Sequence, residues 1–97
     1  MRTVLKASMQ TEAGTAAIQD GSMAQILGKV LEELKPEAAY FYPENGRRTA
    51  FIVFDLTDSR RLPAITEPLF SKLKAEVSIS PAMNVEDVRA GLAAVKR

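Results

Sequence analysis

Apolar and polar residues alternate along Thr3–Gln10, with Leu5, Ala7 and Met9 on one side and Val4, Lys6, Ser8 and Gln10 on the other. A period of two predicts a first strand. Thr11–Gly21 is rich in Thr, Ala and Gly without a clean period, and reads as a loop with at most a short helical turn. The pattern then changes to Met23, Ile26, Leu27, Val30, Leu31 and Leu34, one stripe of an amphipathic helix. Ser22 and Gln25 have the spacing of a capping box at its start, and Pro36 ends it.

Ala38–Tyr42 and Thr49–Leu56 are rich in aromatic and β-branched residues and predict two strands. Asn45-Gly46 between them suits a type I′ hairpin turn, flanked by Glu44 and Arg47 as a cross-strand charge pair. Asp58 or Ser59 can cap a second helix with Leu62, Ile65, Leu69 and Leu73 on its inner face. Pro63 suits its first turn, whereas Pro68 costs a hydrogen bond and bends or delays it. Glu76–Ser80 alternates as a fourth strand, stopped by Pro81. Asn84 then caps a last helix, Val85–Arg97, carrying Val85, Val88, Leu92 and Val95.

The resulting order, β-α-β-β-α-β-α, is the split β-α-β arrangement of a ferredoxin-like α+β domain covering residues 1–97. Its sheet order is expected to be 4-1-3-2, with both crossover helices on one face. Parity sorts Leu5, Ala7, Met9, Phe41, Ile52 and Phe54, among others, toward those helices. The opposite face collects Val4, Lys6, Ser8, Tyr40, Tyr42 and Thr49, then Phe51, Val53, Asp55, Glu76, Ser78 and Ser80. It is too apolar for a solvated sheet face. A contiguous apolar patch on a small domain points to a partner or a ligand, and a homodimer through stacked sheet faces covers it.

Composition narrows the chemistry. The chain has no cysteine and no histidine, so disulfides, thiolate chemistry, sulfur-based zinc sites and the commonest general base are all excluded. No metal site or cofactor is expected. Thirteen basic against twelve acidic residues give a formal charge of +1, which argues against duplex DNA or an anionic membrane as partner. No apolar run reaches the ~20 residues of a membrane span, and Lys6 interrupts any secretory stretch, so a cytoplasmic location is expected. Gly14, Gly21 and Gly28 lack phosphate-loop spacing, and Arg60-Arg61 is too short a basic pair to define a phosphate site.

The run KPEAAYFYPENGRRTAFIVFDL, followed by LPAITEPLF and SPAMNVEDV, with GTAAIQDGS before the first helix, resembles a family of small uncharacterised bacterial proteins. The resemblance covers nearly the whole chain and implies the dimeric α/β-barrel group, in which two ferredoxin-like subunits stack their sheets into one barrel. It transfers no catalytic residues. The wider group includes heme-handling proteins, quinone-forming monooxygenases and lactone isomerases, and a shared fold does not carry a shared function.

Three uses of the second face follow. In the first it lines a cavity for a small molecule, with Lys6 and Asp55 on neighbouring strands as a charged pair and Tyr40, Tyr42 and Phe51 as flat walls. In the second it serves dimerisation alone, as an interaction or regulatory module. The third is RNA binding, because Arg47–Phe54 partly matches the third-strand motif of RNA-recognition domains. Arg48 and Thr49 replace that motif's glycine and first stacking aromatic, and the near-zero charge also disfavours it. Whether the last helix covers its own subunit or a partner stays open at this level.

Overall fold

The computed structural model describes residues 1–95. Residues 96 and 97, which the predicted last helix includes, lie outside the described residues. The elements are β1 (Arg2–Ser8), α1 (Thr11–Asp20), α2 (Ser22–Leu34), β2 (Ala38–Glu44), β3 (Arg47–Asp55), α3 (Leu62–Leu73), β4 (Glu76–Pro81) and α4 (Val85–Val95), with a 3-10 turn over Ser59–Arg61. One four-stranded sheet has the order β2-β3-β1-β4, every neighbour antiparallel. The strand order matches the expectation. The element order does not, because β-α-α-β-β-α-β-α contains one helix more than the predicted arrangement.

The extra helix is α1, in the stretch read as a loop. Its apolar content is three alanines, one glycine and a single large residue, Ile18, so no wide stripe announces it. It buries Gly14 and Ala17, which let the helix backbone approach the sheet closely. A Cβ on Gly14 would stand 3.1 Å from the guanidinium of Arg48, which itself reaches the Thr11 carbonyl and Thr15 hydroxyl. Gly21, at φ 83°, ends α1 in the left-handed conformation and starts α2. The predicted capping box at Ser22 therefore does not form: the Ser22 hydroxyl caps nothing, and its backbone N–H donates to Asp20 Oδ1 at 2.8 Å. One helix ends where the next begins, leaving no extended residue to act as the cap.

Asp20 also holds the Lys72 ammonium of α3 at 3.2 Å. Hydrogen bonding from Ser22, with Lys72 behind it, lowers the Asp20 carboxyl to about 2. A carboxyl depressed on folding stabilises the native state above its unfolded pKa, near 3.9, and that contribution disappears as pH falls through 2. Asp20→Asn is therefore expected to flatten the pH dependence of urea-unfolding midpoints between pH 4 and pH 2. Parallel wild-type and variant curves would reject the coupling.

The hairpin forms as predicted, with Asn45 at φ 53° and Gly46 at φ 76°. Asp58 caps the 3-10 turn, accepting from the Arg60 N–H, before α3 begins at Leu62. Pro63 occupies the first turn of α3 and Pro68 lies inside it. The core lies between the sheet and the α1–α2–α3 layer. Leu5, Ile52 and Phe54 from the strands meet Val30, Leu34, Ile65, Leu69 and Leu73 from the helices. Among the described residues no helix is long and apolar enough to cross a membrane.

Candidate binding face

Strand register turns the uncovered sheet face into a grid. Its rows are Ala38–Val53–Val4–Ser80, Tyr40–Phe51–Lys6–Ser78 and Tyr42–Thr49–Ser8–Glu76. The apolar positions gather on β2, β3 and the start of β1, while β4 contributes serines and a glutamate. Val4, Phe51 and Val53 are half-buried by their neighbours, and Tyr40 is exposed. Thr49 is buried within its row. The face is thus an apolar half joined to a polar half, with Lys6 at the boundary.

The predicted Lys6–Asp55 pair does not form. Register sets Lys6 opposite Phe51 and Asp55 opposite Arg2, four residues away along β1. At ~3.4 Å per residue that separation is about 14 Å, beyond the reach of a salt bridge. Asp55 instead receives the Met1 ammonium at the sheet's end. Lys6 turns the other way, to the Glu44 carboxylate, which the Tyr42 hydroxyl also approaches at 3.2 Å. Glu44 stands opposite Arg47 in the ladder, as the hairpin requires, yet its carboxylate goes to Lys6. Of the five residues singled out from the sequence, Lys6, Tyr40, Tyr42 and Phe51 share one region of the face. Asp55 does not.

Beside this cluster lies a depression of about 280 Å³ lined by Lys6, Ser8, Glu44, Asn45, Glu76 and Ser78, with Val77 at its edge. The bond with Glu44 raises the Lys6 ammonium above its usual value, and the same bond lowers the Glu44 carboxyl. Desolvation first, and then Glu44, raise the Tyr42 phenol. Each shift runs away from neutrality. Glu44 becomes a weaker base, Lys6 a poorer nucleophile and Tyr42 a weaker acid. General acid–base catalysis needs the opposite tuning, so the arrangement is suited to holding donors and acceptors in place.

The sequence names Glu44 only as a hairpin-flanking charge beside Arg47, because a second strand ending at Tyr42 does not carry it onto the open face. The parity of Tyr40 and Tyr42, continued one step further, places Glu44 on the same face. Arg60 and Arg61 are engaged locally, with Asp58 and with the Thr57 hydroxyl and Glu33 carbonyl, respectively. Among the described residues no group of acidic side chains could hold a metal ion. No family model matches the chain, and no curated protein matches it in sequence.

Proposed function

We propose that the chain is a homodimer of the dimeric α/β-barrel kind, stacking two open sheet faces and binding a small molecule beside Lys6, Glu44 and Tyr42. The observation that carries this reading is the composition of the grid. An apolar half built from Val4, Val53, Phe51 and Tyr40 adjoins a polar depression on the same face. Covering the apolar half with a second copy would close the depression into a chamber.

The chamber's charges select its ligand. Lys6 is neutralised by Glu44, and Glu76 adds a further carboxylate at the rim. Phosphates and dicarboxylates are disfavoured by that balance. A small neutral molecule with hydroxyl groups and a flat apolar part fits, its ring against Phe51 or Tyr40 and its hydroxyls on the cluster. The tuning of the three titratable groups favours binding over catalysis. The competing reading, a dimerisation module without a ligand, shares the interface and lacks only the chamber.

Sedimentation at micromolar concentration should give about twice the 10.6 kDa chain mass. A monomer at that concentration overturns the dimer. Catechol serves as a probe of the chamber, titrated into isotope-labelled protein while amide shifts are followed. Shifts confined to residues around Lys6, Ser8 and Glu44, and lost in Lys6→Met, are the expected result. A dimer without such shifts leaves the dimerisation module as the function.

A further inference from the structure

The last helix has no cover of its own. Asn84 Oδ1 accepts from the Asp87 N–H at 2.8 Å while Asp87 Oδ2 accepts from the Asn84 N–H at 3.1 Å, a reciprocal cap that starts the helix firmly. Beyond it, Val85, Val88, Leu92 and Val95 lie on one side, 38% to 72% exposed, and no residue of α4 is buried. Isolated helices shorter than ~12–15 residues are marginal in water, and α4 spans 11 of the described residues. A compact chain of about 100 residues has a radius of gyration near 13 Å. This one has 15.4 Å and a longest dimension of 56 Å. The helix is an arm extended from the fold.

Its point of departure is defined. The Ala82 N–H donates to the Arg2 carbonyl at 3.0 Å, and Arg2 Nη1 lies 3.5 Å from Asp87 Oδ2. The arm therefore leaves the sheet at the corner where edge strand β4 meets the start of β1. At the diagonally opposite corner, where edge strand β2 meets the hairpin, an apolar groove opens at the sheet's edge between the helix-facing side of β2 and the α1–α2 pair. Its volume is about 340 Å³, and Met9, Ile18, Met23, Leu27 and Phe41 line it beside Arg48. Ile18 and Phe41 are about half exposed.

We propose that α4 of each copy crosses to the second copy, runs past the edge of its strand β2 and lays its apolar side into this groove. The inference rests on the sheet-face dimer and completes it geometrically. A two-fold axis in the plane of the stacked faces, along the other diagonal, exchanges the arm corner of one copy with the groove corner of its partner. The strands then cross at nearly a right angle, one of the two usual ways for sheets to pack. One axis makes both arm–groove contacts.

Area supports the same occupant. Four strands at ~4.8 Å spacing and about seven residues of length give a face of roughly 400 Å², so two stacked faces bury about 800 Å². Stable interfaces bury about 1,200–2,000 Å². Half the surface of an arm about 16 Å long and 10 Å across is roughly 250 Å². Two arms and the surfaces beneath them thus add about 1,000 Å² and bring the total into the usual range. The other large groove, lined by Ile26, Val30, Ile65 and Pro68, lies between α2 and α3 with no strand residue in its wall, away from the β2 edge that a crossing arm would pass.

The chain contains no cysteine, so an introduced pair reports cleanly. In Ile18→Cys/Leu92→Cys, both positions are exposed in the isolated chain and their replacement does not disturb the core. The two corners of one sheet are about 30 Å apart by strand spacing, whereas a disulfide needs Cα atoms within ~7 Å. Mild oxidation should convert most of the double variant to a covalent dimer and neither single variant. A wild-type dimer that Phe51→Lys dissociates, with no cross-link in the double variant, overturns the arm and leaves the sheet interface standing. A monomeric wild type overturns both. Independently, Val88→Glu/Leu92→Glu should raise the dimer Kd at least tenfold, and an unchanged Kd counts against the arm. If anilinonaphthalene sulfonate binds the wild-type dimer as strongly as it binds this variant, the groove is open to a small apolar ligand and the arm lies elsewhere.

Discussion

Phe51→Lys/Val53→Lys is expected to convert the proposed dimer to monomers, raising its Kd by about a thousandfold or more. Both residues lie on β3 in the apolar half of the open face, paired with Lys6 and Val4 on one side and with Tyr40 and Ala38 on the other. In the stacked arrangement each lysine would enter a dry interface, and the two-fold axis would bring like charges toward one another. An unpaired charge taken out of water costs several kcal/mol, and each 1.4 kcal/mol is tenfold in Kd. In the monomer the same side chains are only half-buried, so the ammonium groups can reach water and the fold should persist. Sedimentation equilibrium measures the change, and circular dichroism checks the fold. Glu32→Lys, on the exposed side of α2, serves as the charge control and should leave the dimer intact. Dimers that survive the double variant would remove the sheet faces from the interface.

The second large effect is on the core. Phe54→Ala should destabilise the chain by about 3–5 kcal/mol, the usual range for deleting a buried aromatic side chain. Phe54 is among the largest fully buried side chains, on the helix-facing side of β3, opposite Thr3 of β1 and within the core cluster. For a domain of this length 1 kcal/mol shifts the melting midpoint by roughly 4–8 °C, so a fall of 12 °C or more is expected. Phe41→Ala removes the same group from the same sheet side, but at the half-exposed rim on edge strand β2. It should cost the isolated chain less than half as much. Equal losses would show that burial does not rank these positions.

Most of the sheet was legible because its signals are local. Asn45-Gly46 fixed the hairpin, the hairpin fixed the β2–β3 register, and parity then sorted the two faces. What escaped was set by tertiary packing. Helix α1 has no stripe of large apolar residues, because Gly14 and Ala17 serve close approach beneath Arg48. A helical stripe needs bulk at several positions, and α1 has only the exposed Ile18. The capping box at Ser22 failed for a related reason, since a cap needs an extended residue and Gly21 already joins two helices.

The site was half legible for a similar reason. Lys6, Tyr40, Tyr42 and Phe51 were placed on one face by parity, which needs only strand identity. Pairing Lys6 with Asp55 needed the register between β1 and β3, which no turn joins directly. Strands far apart in sequence are aligned by the packing of their buried sides, and here Leu5 opposite Ile52 and Ala7 opposite Ala50 set the alignment. That alignment carries Lys6 toward Glu44 and leaves Asp55 at the far end.

Prolines mark both edges of the sheet. Pro43 interrupts β2 and Pro81 closes β4. Proline offers no N–H, so neither edge presents an unbroken row of donors to an incoming strand. A chain that pairs its sheets face to face, as proposed, could otherwise also grow sideways, strand upon strand, into fibres. With the lateral route interrupted on both flanks, the proposed association through the faces would be finite, and concentrated solutions should hold discrete particles with no thioflavin-positive aggregate.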